Sequence, residues 1–274
     1  MKKLLFIVLI AFLSGCSQKP YVIVQIADAQ LGFTAADLSQ RTGSEYVNDL
    51  TYESDCLIRA VDLVNEIRPD AVVFTGDQVN YADNEEQWTA FANIVSGISD
   101  DINVFHVPGN HDVLIRNGKV DTAPFARHYG EDRFIHSDRG VNLVGLNTNL
   151  IMCGDSLEGD QVNWLKTSLA GVADEDVTIV FGHHPVFMSD IDEPDTYFAV
   201  KKSKRRFYFD LFAELGVDAV YAGHRHESFE GAYEGIPMKT TTSVAFQIGD
   251  SKPSVRVVSI EDGIVTDQLV EIYK

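Results

Sequence analysis

The chain is short of cysteine and short of positive charge, and each shortage excludes something. Three cysteines in 274 residues cannot build the disulfide framework on which small secreted domains rely. Cys16 ends an apolar N-terminal run. Cys56 lies on a helical pattern, and it and Cys153 are expected as unpaired, buried thiols. Lys and Arg number 22 against 41 Asp and Glu, a formal net charge of −19, and two units more negative without Lys2 and Lys3. So acidic a chain does not bind nucleic acid by counterion release and offers an anionic membrane no polybasic patch. Long apolar runs are missing too: residues 4–13 are too few to span a bilayer comfortably. No internal repeat, low-complexity tract or second-domain linker interrupts the rest.

Residues 1–15 read as a signal peptide and stand outside the fold. Lys2 and Lys3 form the basic region, residues 4–13 the apolar one. Leu13-Ser14-Gly15-Cys16 resembles the lipobox of bacterial lipoproteins. That resemblance implies cleavage before Cys16, a diacylglyceryl thioether on its sulfur, and a protein anchored to a membrane at its periplasmic face or the cell surface. An ordinary secretory signal and an uncleaved anchor are the alternatives. Residues 16–20 are then a lipidated terminus with a short linker. Residues 21–274 fit one large α/β domain.

Within that domain, short apolar runs alternate with helical periodicity. Residues 21–27 read as a buried strand, 31–51 as a long polar connection that covers part of a site or carries a short helix, and 52–67 as an amphipathic helix ended by Pro69. Residues 71–75 are a second buried strand. Asp83 and Glu86 form a capping box for the helix presenting Trp88, Phe91, Ala92 and Val95. Residues 103–107 are a third buried strand, 123–129 a short helix, 141–146 and 177–181 further strands. A helix over about 204–215 precedes a strand at 217–221. From Phe229 on, turns at Glu234-Gly235 and Asp262-Gly263 suggest an antiparallel meander. The basic run 201–206 reads as a solvated, partly helical face, with phosphate contact as the alternative. Tyr197 and Phe198 are either a stacking lid or packed loop residues.

Chemistry collects where strands stop. Val107-Pro108-Gly109-Asn110-His111-Asp112 places an amide, an imidazole and a carboxylate directly after a strand. The strand at 21–27 ends in Asp28-Ala29-Gln30, that at 71–75 in Gly76-Asp77, that at 177–181 in Gly182-His183-His184-Pro185, and that at 217–221 in Gly223-His224-Arg225-His226. Right-handed crossovers bring such tips to one edge. The candidate metal ligands are Asp28, Gln30, Asp77, Asn110, His183, His224 and His226. Nitrogen and oxygen donors without thiolate suit Mn, Fe, Zn or Mg.

In this order the motifs look like those of the calcineurin-like metallophosphoesterases, over nearly all of residues 21–274. The resemblance implies a four-layer α/β/β/α sandwich and two divalent metal ions at the strand ends. By it, Asp28, Gln30, Asp77 and His226 hold one ion and Asp77, Asn110, His183 and His224 the other, with Asp77 bridging. It further implies hydrolysis of a phosphate ester by in-line attack of a hydroxide between the ions. Asn110 then stabilises the phosphoryl oxygens, and His111, oriented by Asp112, acts as general acid. Gln30 departs from the usual Asp-x-His and makes the first site harder. Asp-x-Gln, with Gly231-Ala232-Tyr233, Thr242-Ser243, Gln247-Ile248-Gly249 and Val255-Arg256-Val257-Val258, resembles a branch described as serine/threonine protein phosphatases. A phosphate monoester is the expected substrate. The rivals are a phosphodiesterase acting on cyclic nucleotides or phospholipid headgroups, and a non-catalytic metal-binding lipoprotein. Oligomeric state is not legible.

Overall fold

The computed structural model describes residues 19–173 and 175–273; Cys16 and the signal segment lie outside them. β1 (Tyr21–Ile26) leads through α1 (Phe33–Thr42) and α2 (Thr51–Ile67) to β2 (Ala71–Thr75), α3 (Glu85–Val95) and β3 (Asn103–Val107). A small hairpin of β4 (Leu114–Arg116) and β5 (Lys119–Asp121) and then α4 (Ala123–Tyr129) connect to the second half. That half runs β6 (Phe134–Asp138), β7 (Val141–Gly145), α5 (Thr148–Cys153), α6 (Glu158–Leu169), β8 (Val177–Phe181), α7 (Lys202–Glu214), β9 (Val217–Ala222), β10 (Glu230–Tyr233) and β11 (Ile236–Thr240). β12 (Ser254–Glu261) and β13 (Ile264–Glu271) follow. One sheet has the order β13-β12-β1-β2-β3, the other β10-β11-β9-β8-β7-β6.

Period-two alternation explains how the layers stack. Val24 and Ile26 of β1 and Val72 and Phe74 of β2 pack outward on Leu57, Ala60, Val61 and Val64 of α2 and on Phe91 of α3. Tyr21, Ile23, Ala71 and Val73 point the other way and meet Val141, Leu143, Ile179, Phe181 and Ala219 of the second sheet. The outer face of that sheet, with Val144, Val180 and Val220, lies under Leu165 and Leu169 of α6 and Phe209 and Phe212 of α7. Helix, sheet, sheet, helix is the four-layer sandwich that the resemblance implied. Among the described residues no helix is long and apolar enough to cross a membrane.

The inner layer contains a polar seam that joins the sheets. Gln25 is fully buried there. Its amide donates to Thr75 Oγ1 and the Ala222 carbonyl, both at 3.0 Å, and accepts from Thr241 Oγ1 at 2.6 Å. Arg256 of β12 reaches across to Thr241 Oγ1 and the Thr240 carbonyl, each at 2.9 Å, and pairs with Asp267. Buried polar groups persist only when so satisfied.

Several sequence expectations change. β3 is an edge strand, not a buried one: only Val107 is fully buried. Asn84, not Asp83 with Glu86, caps α3, its side chain accepting from the Glu86 and Gln87 amides. The polar connection after β1 carries α1. The C-terminal strands form no single meander. β10–β11 extends the second sheet, with β11 parallel to β9, while β12–β13 returns to the first, with β12 antiparallel to β1. Both expected turns are present, with Glu234 and Asp262 each at φ 50°. The basic run is not uniformly solvated either. Lys202 and Arg206 pair with Asp192 at the surface. Arg205 is fully buried and donates to the carbonyls of Val200, Ile191, Glu193 and Pro194, holding the loop before α7.

Candidate metal centre

All seven candidate ligands follow the carboxyl ends of parallel strands: Asp28 and Gln30 after β1, Asp77 after β2, Asn110 after β3, His183 after β8, and His224 and His226 after β9. The structure brings them together where the two sheets' ends meet. Ligand atoms of Asp28, Asp77 and His226 lie within 4.8 Å of one another, and so do those of His183, His184 and His224. His183 Nε2 stands 3.2 Å from Asp77 Oδ2, 3.1 Å from Asn110 Oδ1 and 3.1 Å from His224 Nδ1. His226 Nε2 is 3.4 Å from Asp28 Oδ1.

Backbone strain marks the same residues. Asp28, Gln30, Asp77, His224 and His226 all have φ between 43° and 65°. For non-glycine residues this left-handed conformation costs on the order of 1–3 kcal/mol each, so surrounding bonds must enforce it. Gln30 N donates to the Asp77 carbonyl at 2.8 Å, Ser243 Oγ to the Asp28 carbonyl at 2.7 Å, and Thr242 Oγ1 to the His226 carbonyl at 3.1 Å. Thr148 Oγ1 accepts from the amides of His183 and His184. Gly76 is needed for close approach: a Cβ there would lie 2.6 Å from both Gly109 N and His183 Nδ1.

Hydrogen bonds also set the imidazole tautomers. His183 Nδ1 donates to the Thr75 carbonyl at 2.9 Å, and His226 Nδ1 to the Phe246 carbonyl at 2.6 Å. In the neutral ring each would leave the Nε2 lone pair aimed at the carboxylates, as metal-binding histidines are usually held. Burial drops His224 to about 3 and His226 to about 4, with the His183 charge adding to it, and drops His184 well below its ordinary value. These rings stay neutral, with lone pairs free. Burial opposes a charge on His183 as well, yet Asp77 and Asp28 hold it up to about 9. Burial would raise Asp77, but the charges of His183 and His111 outweigh it and keep the carboxyl well below its usual range. Burial pushes Asp28 well up. Three buried carboxylates (Asp28, Asp77 and Asp112) in one cluster call for added positive charge.

The donors fit divalent ions on a further count. Gln30 Oε1 and His224 Nε2 are buried without a hydrogen-bond partner. An unpartnered buried carbonyl oxygen is costly unless a cation takes it. The Gln30 amide nitrogen meets Asn80 Oδ1 at 3.3 Å, which leaves the oxygen as the atom available to a cation.

Asp112 does not orient His111, as the sequence had suggested. Its carboxylate accepts from the amides of Gly109 at 2.8 Å, Gln78 at 2.9 Å and Val79 at 3.2 Å, and so shapes the loop. Burial and the Asp77 charge push it up to about 7. The Asn80 carbonyl takes His111 Nδ1 at 2.8 Å instead, and His111 N donates to Asp77 Oδ1 at 2.8 Å. Asn80 and Thr148 carry no motif that betrays these roles. His184 was in plain view beside His183. Its ring centroid is 4.2 Å from that of His224, and its Nδ1 is 3.1 Å from Thr148 Oγ1.

Tyr197 and Phe198 both lie beside His224 but differ in exposure. Phe198 packs under the Arg225 guanidinium, 4.6 Å from its ring centroid. Tyr197 is 67% exposed at the rim, its ring 5.2 Å from that of His224. An exposed ring there can stack on an aromatic leaving group, a gain of about 0.5–1.5 kcal/mol. Tyr197→Ala should raise KM for p-nitrophenyl phosphate by the corresponding ~2–10-fold and leave KM for an alkyl phosphate unchanged. Equal shifts for both esters in steady-state assays would refute stacking.

Residues 21–228 match the family described as calcineurin-like phosphoesterase. The chain is 30% identical over 259 residues, 88% of its length and 80% of the relative's, to the serine/threonine-protein phosphatase CPPED1 of Bos taurus. It is 27% identical over 239 residues, 82% of its length and 68% of the relative's, to a cAMP/cGMP dual specificity phosphodiesterase of Mycobacterium tuberculosis. In fold it resembles a dimetal phosphatase from Danio rerio, with a TM-score of 0.62 at 16% identity over 93% of this chain and all of that one. With these donors at these strand ends, the chain belongs to the calcineurin-like phosphoesterase family and is a metal-dependent phosphoric ester hydrolase.

Proposed function

We propose that the enzyme hydrolyses phosphate monoesters with two divalent ions, and that a lipid on Cys16 holds it on a membrane at the periplasmic face or cell surface. One observation carries the catalytic part. Asp77 belongs to one donor group with Asp28 and His226 and stands 3.2 Å from His183 Nε2 of the other. Asp28, Gln30, Asp77 and His226 would hold one ion, and Asp77, Asn110, His183 and His224 the second, with Mn, Fe, Mg or Zn all suited to the donors. When bound, such a pair supplies an activated water and neutralises phosphoryl charge. Asn110 directs Oδ1 toward His183 Nε2, which leaves its amide nitrogen to donate to a phosphoryl oxygen. Because the Asn80 carbonyl holds His111 Nδ1–H, Nε2 is the atom that carries a proton to the leaving oxygen. The tetrapeptide Leu13-Ser14-Gly15-Cys16 supports the anchor.

His111→Ala then costs about 10²–10⁴-fold in kcat with an alkyl phosphate and little with p-nitrophenyl phosphate, whose leaving group needs no proton. Equal losses on both esters would remove His111 as the acid.

A phosphodiesterase is the second reading, favoured by the mycobacterial relative. The test loads residues 17–274 with Mn and compares p-nitrophenyl phosphate with bis-p-nitrophenyl phosphate. Faster diester turnover reverses the assignment.

A further inference from the structure

We propose that the metal centre faces away from the membrane that holds the chain, so that its substrates are phosphate esters dissolved in the surrounding compartment and not headgroups of its own bilayer. This rests on the reading of Cys16 as the lipidated residue.

The described chain starts at the pole opposite the centre. Lys19 and Tyr21, at the amino end of β1, line one cavity with Val141 and Val177, the first residues of β7 and β8, and with Gly263 in the turn between β12 and β13. Every candidate ligand lies at the other ends of these parallel strands. The six residues of β1, at ~3.3 Å each, put roughly 20 Å between the poles.

The tether is shorter than that. Only Ser17 and Gln18 separate Lys19 from Cys16. Three peptide steps reach at most about 11 Å when fully extended. For the centre to touch lipid, the domain would have to invert and lift Lys19 roughly 20 Å off the surface, about twice that limit. Upright and tilted orientations are within reach; an inverted one is not. Charge does not pull the domain flat. Glu175, Glu261 and Asp262 outnumber Lys19 and Arg139 around this pole, and an anionic leaflet repels a net acidic face. Six of the seven candidate ligands are buried and Asn110 is half-buried, so a headgroup would have to leave the bilayer to meet them.

The test uses the full lipidated chain in phospholipid vesicles carrying a headgroup quencher. A Cys153→Ser background, with Cys56 buried, takes a fluorophore at either Tyr197→Cys beside the centre or Glu261→Cys at the anchor pole. The label at 261 should be quenched severalfold more than that at 197. A Gly/Ser insert of about 30 residues between Gln18 and Lys19, with a root-mean-square reach of about 30 Å, should erase the difference. Equal quenching at 197 and 261 with the native tether overturns the proposal. So does hydrolysis of a vesicle-borne lipid phosphate by the native-tether chain as fast as of soluble p-nitrophenyl phosphate. Flotation with the vesicles, lost in Cys16→Ala, checks the anchor, and a wild-type chain that does not float overturns the orientation with it. A floating chain with the expected quenching and no turnover of any ester refutes the phosphatase reading and leaves the orientation standing.

Discussion

Asp77→Asn should leave a folded protein whose turnover has fallen by more than about 10³-fold, beyond what loss of a single oxyanion-hole donor costs. Asp77 is 1% exposed, belongs to the donor group of Asp28 and His226, and stands 3.2 Å from His183 Nε2 of the other group. Its Oδ1 also receives the His111 amide, a bond that an asparagine oxygen can keep. The substitution therefore spares the loop and removes the negative charge that the two proposed ions would share. Metal content should drop below two ions per chain in the same preparation, measured by elemental analysis beside far-UV circular dichroism. A folded variant with near-normal turnover would mean that the ions, if bound, are not bridged by this residue.

Arg256→Ala should cost about 3 kcal/mol of stability, from the known penalty for breaking a buried pair. The Arg256 side chain is 2% exposed and that of Asp267 5%. Truncation strands the Thr240 carbonyl, opens a void beside Tyr221 and removes one partner of Asp267. Lys239 remains 2.7 Å from that carboxylate, which keeps the cost at the lower end of the usual range. For a domain of this size the loss is about 6–12 °C in Tm, read by calorimetry at a fixed metal concentration. A shift below about 2 °C would show that the seam between the sheets is energetically idle.

What the sequence disclosed follows from what periodicity can report. The strands at 71–75, 103–107 and 177–181 and the helix at 123–129 agree with the structure residue for residue, because each is a short patterned run bounded by turn or polar signals. The candidate site was legible for the same reason: its candidate ligands are side chains at the ends of such runs. Partners distant in sequence were not legible. An apolar run does not say whether a neighbour lies on both sides, so β3 read as buried. A hairpin does not say which sheet it joins, so the last four strands read as one meander. Arg205 sits in a basic run yet binds four carbonyls of a preceding loop, and no spacing rule reports that. Asp112 illustrates the limit within the site itself: its proximity to His111 in sequence suggested a contact, and three backbone amides claim it instead.

The placement of β12 also bears on how the molecule is finished. β1 lies between β2 and β12, with Tyr21 opposite Ile260, so the first strand made waits for nearly the last. Until residues 254–261 are available, β1 has one edge open, and an unpaired edge is a template for pairing with another chain. Closing so distant a contact is slow, and an open, apolar intermediate is prone to aggregate meanwhile. A chain stopped before residue 254 would still contain every candidate ligand and would present that adhesive edge to its neighbours.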